Sequence, residues 1–128
     1  MEWIIPPLRE ERGEFERVAE TFGVRVSLLV AMFQVGTIED LTDEAWGVLE
    51  NTDSWHTTTL EKVFEKATEY GRNAQKLLRE FYSDRTMQVP IVLVLSTGAE
   101  HLVSGNTRLM LCRALGIRPR VLKIRFQF

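Results

Sequence analysis

Residues 102–116 constrain the fold of this chain more than any other segment, and they read LVSGNTRLMLCRALG. The pattern predicts a strand that stops at Gly105, a turn through Asn106 and Thr107, and a short helix that ends at Gly116. A strand that leads directly into a helix leaves backbone N–H groups unpaired at the positive end of the helix dipole. Such a helix start is a general anion-binding site.

Arg108, in the first turn of the predicted helix, strengthens the prediction of a bound anion. A cation at that end of a helix opposes the dipole, at a cost of roughly 0.3–1 kcal/mol, unless a negative group lies beside it. A phosphate held in the turn would supply that negative group. The candidate phosphate- or nucleotide-binding residues are therefore Ser104, Gly105, Asn106, Thr107 and Arg108.

A purely structural turn is the alternative. Glycine followed by Asn and Thr is also a common way to start a helix. Arg108 could then pair at the surface with Asp84 or Glu100. A single Gly-Asn-Thr-Arg turn is much less specific than a complete phosphate-binding loop. Other features of the chain have to decide between the two interpretations.

Residues 89–125 contain an apolar strand, a hairpin, a second strand ending in a Gly-x-x-Arg turn, a helix of the RLxxxRxLG type and another strand. The signature residues are Gly105, Asn106, Thr107, Arg108, Leu109, Arg113, Leu115 and Gly116. In this arrangement the segment resembles the ParB/sulfiredoxin superfamily, and in particular the ParB N-terminal-like domain. The resemblance implies a fold of that type, in which the Gly-x-x-Arg turn binds the phosphates of a nucleotide. It also implies a nucleoside triphosphate with Mg²⁺ as the ligand.

Two positions depart from the pattern of that superfamily. Sulfiredoxins carry a nucleophilic cysteine where this chain has Asn106, so their chemistry is not expected here. ParB proteins usually have a second arginine at the position of Thr107. The one cysteine, Cys112, lies between Leu111 and Arg113 in the apolar helix, and we expect a buried, inert thiol there.

Charge is distributed unevenly along the chain, although its formal net charge is only -2. Residues 1–70 hold fifteen acidic and six basic residues, whereas residues 71–128 hold three acidic and ten basic residues. The predicted anion site lies in the basic part, which favours a nucleotide, another phosphate-bearing ligand or a nucleic acid as partner. The alternative is that the two parts pack on each other and neutralise each other's charge.

The polar turn NTDSWHTTT, residues 51–59, supplies the candidate catalytic groups, Asp53 and His56. A carboxylate and an imidazole in one loop are a candidate acid/base pair. The alternative is helix capping, with Asp53 ending one element and Thr57 or Thr58 starting the next. His101 is a candidate accessory residue that either faces the anion site or lies at the surface. Two histidines and one cysteine predict no metal site.

These observations predict a nucleotide- or phosphate-binding domain. If the domain is catalytic, it would be a small NTP-dependent phosphotransferase or nucleotide hydrolase. Whether the chain is an enzyme stays open. One alternative is a nucleic-acid-binding protein or ParB-like nuclease that uses the basic C-terminal face. A second alternative is a non-catalytic interaction module in which the turn is structural.

Length and composition predict one domain over residues 1–128, with 45% hydrophobic residues to form a core, and the order of the predicted elements makes it α+β. Residues 1–86 are predicted to be mainly helical and to pack on a small mixed sheet. Residues 87–128 would form the β-hairpin, helix and strand with the phosphate-binding turn. Two prolines and a run of charges at the start fit neither a signal peptide nor a membrane anchor, so a cytoplasmic protein without a membrane partner is expected.

Hydrophobic periodicity predicts the individual elements. We expect a helix between Pro7 and Gly23 and a short helix started by Thr42. Residues 24–35 fit either a buried helix started by Ser27 or a strand, and their shared apolar face favours the helix. One stripe over residues 60–81 predicts a continuous helix of about six turns, which Gly71 could bend. Strands are expected over residues 89–95 and 101–105 and after Pro119. In the last strand Leu122, Ile124, Phe126 and Phe128 face the core, and Lys123, Arg125 and Gln127 form a wet, basic face.

Overall fold

The chain forms six α-helices and six strands within residues 1–125, the part that the computed structural model describes. In chain order these are β1 (Glu2–Ile4), α1 (Leu8–Phe22), α2 (Val26–Gln34), β2 (Thr37–Asp40), α3 (Asp43–Val48), α4 (Leu60–Glu69), α5 (Ala74–Arg79), β3 (Thr86–Gln88), β4 (Ile91–Val94), β5 (Glu100–Ser104), α6 (Asn106–Leu115) and β6 (Arg120–Arg125). A short 3-10 helix covers Ser54–His56 and a π-helical turn covers Glu80–Asp84. The predicted α+β class is confirmed.

Four strands form a mixed sheet in the order β2-β6-β4-β5. Strands β4 and β6 are parallel, whereas β2 pairs antiparallel with β6 and β5 pairs antiparallel with β4. A separate parallel ribbon joins β1 to β3. The mainly helical part of the chain thus contributes β1 and β2, which were not predicted. Three or four residues are too few for an alternating pattern to be recognised.

Helices cover both faces of the mixed sheet. On one face, α1 and α2 pack against the strands, in a core that includes Phe15, Leu29, Ile91, Leu93 and Ile124. On the other face lie α3 and α6, in a core that includes Leu41, Leu49, Val92, Leu109 and Val121. The outer side of α6 packs against α4 and α5, where Val63, Ala67, Met110 and Cys112 are buried. Helix α6 is therefore central, and its N-terminus emerges beside α1.

The wet, basic face predicted for β6 is only partly present. Arg125 is exposed and Leu122 and Ile124 are buried, as expected. On the supposedly wet face, however, Val121 is fully buried, and Lys123 is nearly buried in an ion pair with Glu100 (Nζ–Oε1 2.7 Å). The reason is that α3 and α6 cover this face. Residues 126–128, for which the same alternation was predicted, lie outside the described residues.

The predicted continuous helix over residues 60–81 is wrong, because the structure has two helices there. Helix α4 ends at Glu69, and Gly71 adopts a left-handed backbone with φ 66°. The side chain of Asn73 then accepts a hydrogen bond from the N–H of Lys76 and starts α5. The apolar stripe persists because both helices pack on α6, but a glycine turn and an Asn cap interrupt the backbone.

Most of the other predicted elements are confirmed. Helix α1 follows Pro7 and ends at Gly23 in a left-handed conformation, and the side chain of Thr42 accepts a hydrogen bond from the N–H of Ala45 at the start of α3. Helix α2 forms where predicted, but Arg25 rather than Ser27 precedes it as the cap. Among residues 1–125, no helix combines the length and apolarity that crossing a lipid bilayer requires.

Candidate functional site

The turn between β5 and α6 is built around Gly105. This residue has a φ of 110°, a backbone conformation that residues with a Cβ rarely adopt. A Cβ at this position would also lie 2.9 Å from both Cα and Cβ of Pro90. The Gly105 carbonyl accepts a hydrogen bond from the N–H of Leu109 (2.9 Å), which closes the first turn of α6. Glycine is thus required both by the backbone angle and by the packing against Pro90.

The N–H groups of the first three residues of α6, Asn106, Thr107 and Arg108, donate no hydrogen bond to any other residue within 1–125. All three residues line a cleft of about 870 Å³, called here the α6 cleft. Its lining includes Glu10, Glu11, Glu14, Arg17, Asn51, Thr52, Asp53, Tyr70, Arg72, Lys76, Glu80 and residues 102–108. The start of the helix therefore has unused donors in residues that border a cleft.

Arg108 is buried in an internal network. Its Nη2 donates to Oε1 of Glu11 at 2.9 Å and to Oγ of Ser104 at 3.3 Å, and its Nη1 donates to the carbonyl of Val89 at 2.8 Å. The Ser104 hydroxyl donates in turn to the second oxygen of Glu11. Surface pairing with Asp84 or Glu100 is therefore wrong. The negative group that Arg108 needs at the helix start comes from α1.

Asp53 lies directly beside the predicted anion site. Nδ2 of Asn106 donates to Oδ1 of Asp53 at 2.7 Å, and the Tyr70 hydroxyl donates to Oδ2. Burial acts to raise the pKa of Asp53, but these two hydrogen bonds and the charge of Lys66 outweigh it and lower the pKa below its ordinary value. Asp53 is consequently an ionised carboxylate at neutral pH.

The two histidines are not part of this arrangement. His56 is exposed in the 3-10 helix and does not line the α6 cleft. His101 packs edge-on against the ring of Phe22, with a centroid distance of 4.9 Å, and its Nδ1 lies 3.8 Å from Glu50. Burial lowers its pKa, although Glu50 acts in the opposite direction. The structure thus brings Asp53, but neither His56 nor His101, to the candidate site.

Four contributing residues were missed from the sequence: Glu11, Thr52, Tyr70 and Arg113. The Thr52 hydroxyl donates to Oδ1 of Asn106 at 2.6 Å. Arg113 supports the loop that carries Thr52 by donating from Nε to Oγ of Ser54 at 2.9 Å. Arg113 could have been found, since it lies seven residues after Asn106 and thus on the same side of α6. Glu11 is one acid among many in α1 and carries no such signal.

Several charges of the two parts of the chain meet in ion pairs, as in the second interpretation of the charge asymmetry. Besides the buried pair of Arg108 and Glu11, exposed or partly exposed pairs join the two parts: Arg72 with Glu14, Arg118 with Asp43, Arg120 with Asp40 and Arg125 with Glu39. The α6 cleft itself contains carboxylates and cations side by side. Residues 1–125 hold no cluster of three His, Cys, Asp or Glu side chains arranged for a metal ion.

Comparison of the chain with protein-family models, with curated proteins and with solved structures gives no match. The resemblance to the ParB/sulfiredoxin superfamily therefore stays a prediction. The functional proposal has to rest on the geometry of the α6 cleft.

Proposed function

We propose that the α6 cleft binds the phosphate group of a nucleotide or another small phosphorylated molecule. The observation that carries this proposal is the set of three free N–H groups at residues 106–108, which line the cleft at the positive end of a ten-residue helix. The cleft volume of about 870 Å³ falls within the range of small-molecule sites. Gly105 adds to the case because it lets the backbone approach a ligand closely.

Several residues of the cleft would each contribute to phosphate binding. The N–H groups of Asn106, Thr107 and Arg108 would donate to phosphate oxygens, and the half-buried Thr107 would add its hydroxyl. Arg108 would contribute through its charge from behind the turn, weakened by its pairing with Glu11. Lys76, which also lines the cleft, would balance the charge of a longer phosphate chain, together with Arg72, whose charge is partly balanced by Glu14 at 3.3 Å.

Asp53 is the residue that would make such a site catalytic. It is an ionised carboxylate one hydrogen bond away from Asn106, so it could accept a proton from an acceptor hydroxyl or a water molecule. A nucleoside triphosphate would bring Mg²⁺, which proteins commonly hold with one or two carboxylates and the phosphates themselves. Asp53 would supply one such carboxylate. This supports a phosphotransferase or nucleotide hydrolase as the catalytic form of the proposal.

The nucleic-acid alternative has less support from the geometry. It relies on the basic residues of β6, but Arg120 and Arg125 each form an ion pair with an acidic residue of β2 (Nε–Oδ1 3.1 Å and Nη1–Oε2 2.8 Å). Phosphates of a duplex would have to compete with those carboxylates. A small ligand in the α6 cleft has no such competition at the free N–H groups.

The test is a thermal-shift screen with inorganic phosphate and the four ribonucleoside triphosphates, each with and without Mg²⁺, followed by titration calorimetry. A ligand that binds the folded chain raises its melting temperature by mass action. Thr107→Val and Lys76→Gln should weaken binding, while Lys62→Gln, an exposed lysine outside the cleft, serves as the matched control. Absence of any shift, or equal effects of the two lysine variants, would contradict the proposal. Duplex DNA is titrated in the same way at several salt concentrations. If only DNA binds, and its affinity falls steeply with salt, the nucleic-acid alternative is favoured.

A further inference from the structure

Arg113 lies two turns along α6 from Asn106 and is held between two indole rings. Its Cζ is 3.5 Å from the centroid of the Trp46 ring and 4.3 Å from that of the Trp55 ring. Its Nη2 also donates to the carbonyl of Trp46 at 3.1 Å. A guanidinium fixed by stacking and by a hydrogen bond at one edge has a defined orientation for its other N–H groups.

A continuous line of hydrogen bonds runs from Arg113 to the start of α6. Nε of Arg113 donates to Oγ of Ser54 at 2.9 Å, and this atom lies 2.8 Å from Oγ1 of Thr52. The Thr52 hydroxyl donates to Oδ1 of Asn106 at 2.6 Å. Because Oδ1 of Asn106 accepts this bond, its Nδ2 is turned toward Asp53, to which it donates at 2.7 Å.

This orientation of the Asn106 amide determines which hydrogen bonds Asp53 accepts. An Asp side chain beside a helix start ordinarily accepts hydrogen bonds from the first N–H groups of the helix. Here each carboxylate oxygen accepts one side-chain hydrogen bond instead, Oδ1 from Asn106 and Oδ2 from Tyr70. In this arrangement the N–H groups of residues 106–108 donate no hydrogen bond to Asp53.

We propose that Arg113 is a positioning residue for the α6 N-terminus. Through Ser54 and Thr52 it orients the amide of Asn106, and the oriented amide holds Asp53 away from the free N–H groups. The effect on ligand affinity rests on the proposed phosphate binding. The orientation of the Asn106 amide does not, so the two ideas can be tested separately.

The test compares Arg113→Lys, Thr52→Val and Thr52→Ser in the full chain. Lysine keeps the charge but lacks the planar group that stacks and donates from Nε. Valine removes the Thr52 hydroxyl at nearly constant volume, whereas serine retains it. Arg120→Lys is the control, because Arg120 pairs with Asp40 at the surface and takes no part in this line of hydrogen bonds.

The first readout is hydrogen exchange of the Asn106 side-chain NH₂, followed by NMR without any ligand. We expect faster exchange in the Arg113→Lys and Thr52→Val variants and wild-type exchange in the Thr52→Ser and Arg120→Lys variants. The second readout is the Kd for inorganic phosphate. It should rise about tenfold in the first two variants, which corresponds to the loss of one charge-assisted hydrogen bond.

Two outcomes separate the ideas. Unchanged Asn106 exchange in the Arg113→Lys and Thr52→Val variants, with or without a lower melting temperature, would overturn the positioning role. Faster exchange in a chain that binds no phosphate would support the positioning role and refute the proposed function. Thr52 is only half-buried, so its two variants decide the question even where the Arg113→Lys variant does not fold.

Discussion

Glu11 and Arg108 form a buried ion pair between α1 and the first turn of α6, with an Oε1–Nη2 distance of 2.9 Å. Their side chains are only 7% and 10% exposed, so neither charge is solvated by bulk water. Removing one partner would leave the other charge buried and unpaired. The pair thus makes the position of α1 a condition for the geometry of the α6 cleft.

We predict that Glu11→Ala lowers the free energy of unfolding by about 3–5 kcal/mol, as expected when one half of a buried pair is removed. Urea denaturation measures this loss. Asp40→Ala is the matched control, because it breaks the exposed pair with Arg120 and should cost at most about 1 kcal/mol. Similar losses in the two variants would mean that Arg108 is stabilised by its bonds to Val89 and Ser104 alone.

Gly105→Ala should destabilise the chain by about 1–3 kcal/mol, because alanine is strained at φ 110° and its Cβ would press against Pro90. Gly13→Ala is a useful comparison. Gly13 lies inside α1, and a Cβ added there would meet no atom within 4 Å, so alanine should stabilise the helix by about 0.5–1 kcal/mol. Thermal unfolding of both variants checks the opposite signs. A neutral Gly105→Ala variant would show that the turn can relax.

The pair between Glu39 and Arg125 predicts a specific acid dependence. Hydrogen bonds from Arg125 are the main cause that lowers the pKa of Glu39 from 4.5 to about 2. A pKa lowered by folding contributes stability that is complete above the unfolded value and is lost as the pH falls from about 4.5 toward 2. Glu39→Gln should therefore flatten the fall of unfolding free energy in that interval. Glu61→Gln, at an exposed position in α4, should leave it unchanged.

The thiol of Cys112 should be unreactive in the folded protein. Burial raises the pKa of its thiol to about 12, even though the charges of Arg108 and Arg113 act in the opposite direction. We expect iodoacetamide to label Cys112 at neutral pH only after denaturation, and Cys112→Ala to retain phosphate binding. Mass spectrometry before and after denaturation measures the labelling. Rapid labelling of the native chain would contradict the buried position.

The start of α6 could be predicted from the sequence because its signals are local. Gly105 fixes a left-handed turn, Gly116 ends the helix in another, and both lie within twelve residues of each other. The same holds for the cap at Thr42. Short-range backbone preferences of this kind depend on neighbouring residues, so no knowledge of the rest of the fold is needed.

The remainder of the site depends on contacts between distant parts of the chain. Glu11 and Arg108 are separated by 97 positions and Asp53 and Asn106 by 53. The sequence identified Asp53, Asn106 and Arg108 separately, but it contained nothing that paired them with each other or with α1. The short strand β2 was missed for a related reason, since its residues are defined by pairing with β6 and not by their own pattern.

The pairing of β2 with β6 also has a consequence for biosynthesis. Asp40 of β2 lies opposite Arg120 of β6, which is 80 positions further along the chain. Strand β1 likewise pairs with the distant strand β3. A nascent chain on the ribosome can form its early helices, but neither early strand finds its neighbour until most of the described sequence has emerged. Folding dominated by such distant pairings is slow. Until strands β4 and β6 have emerged, the apolar residues of α1 and α2 lack the sheet face that buries them in the folded chain.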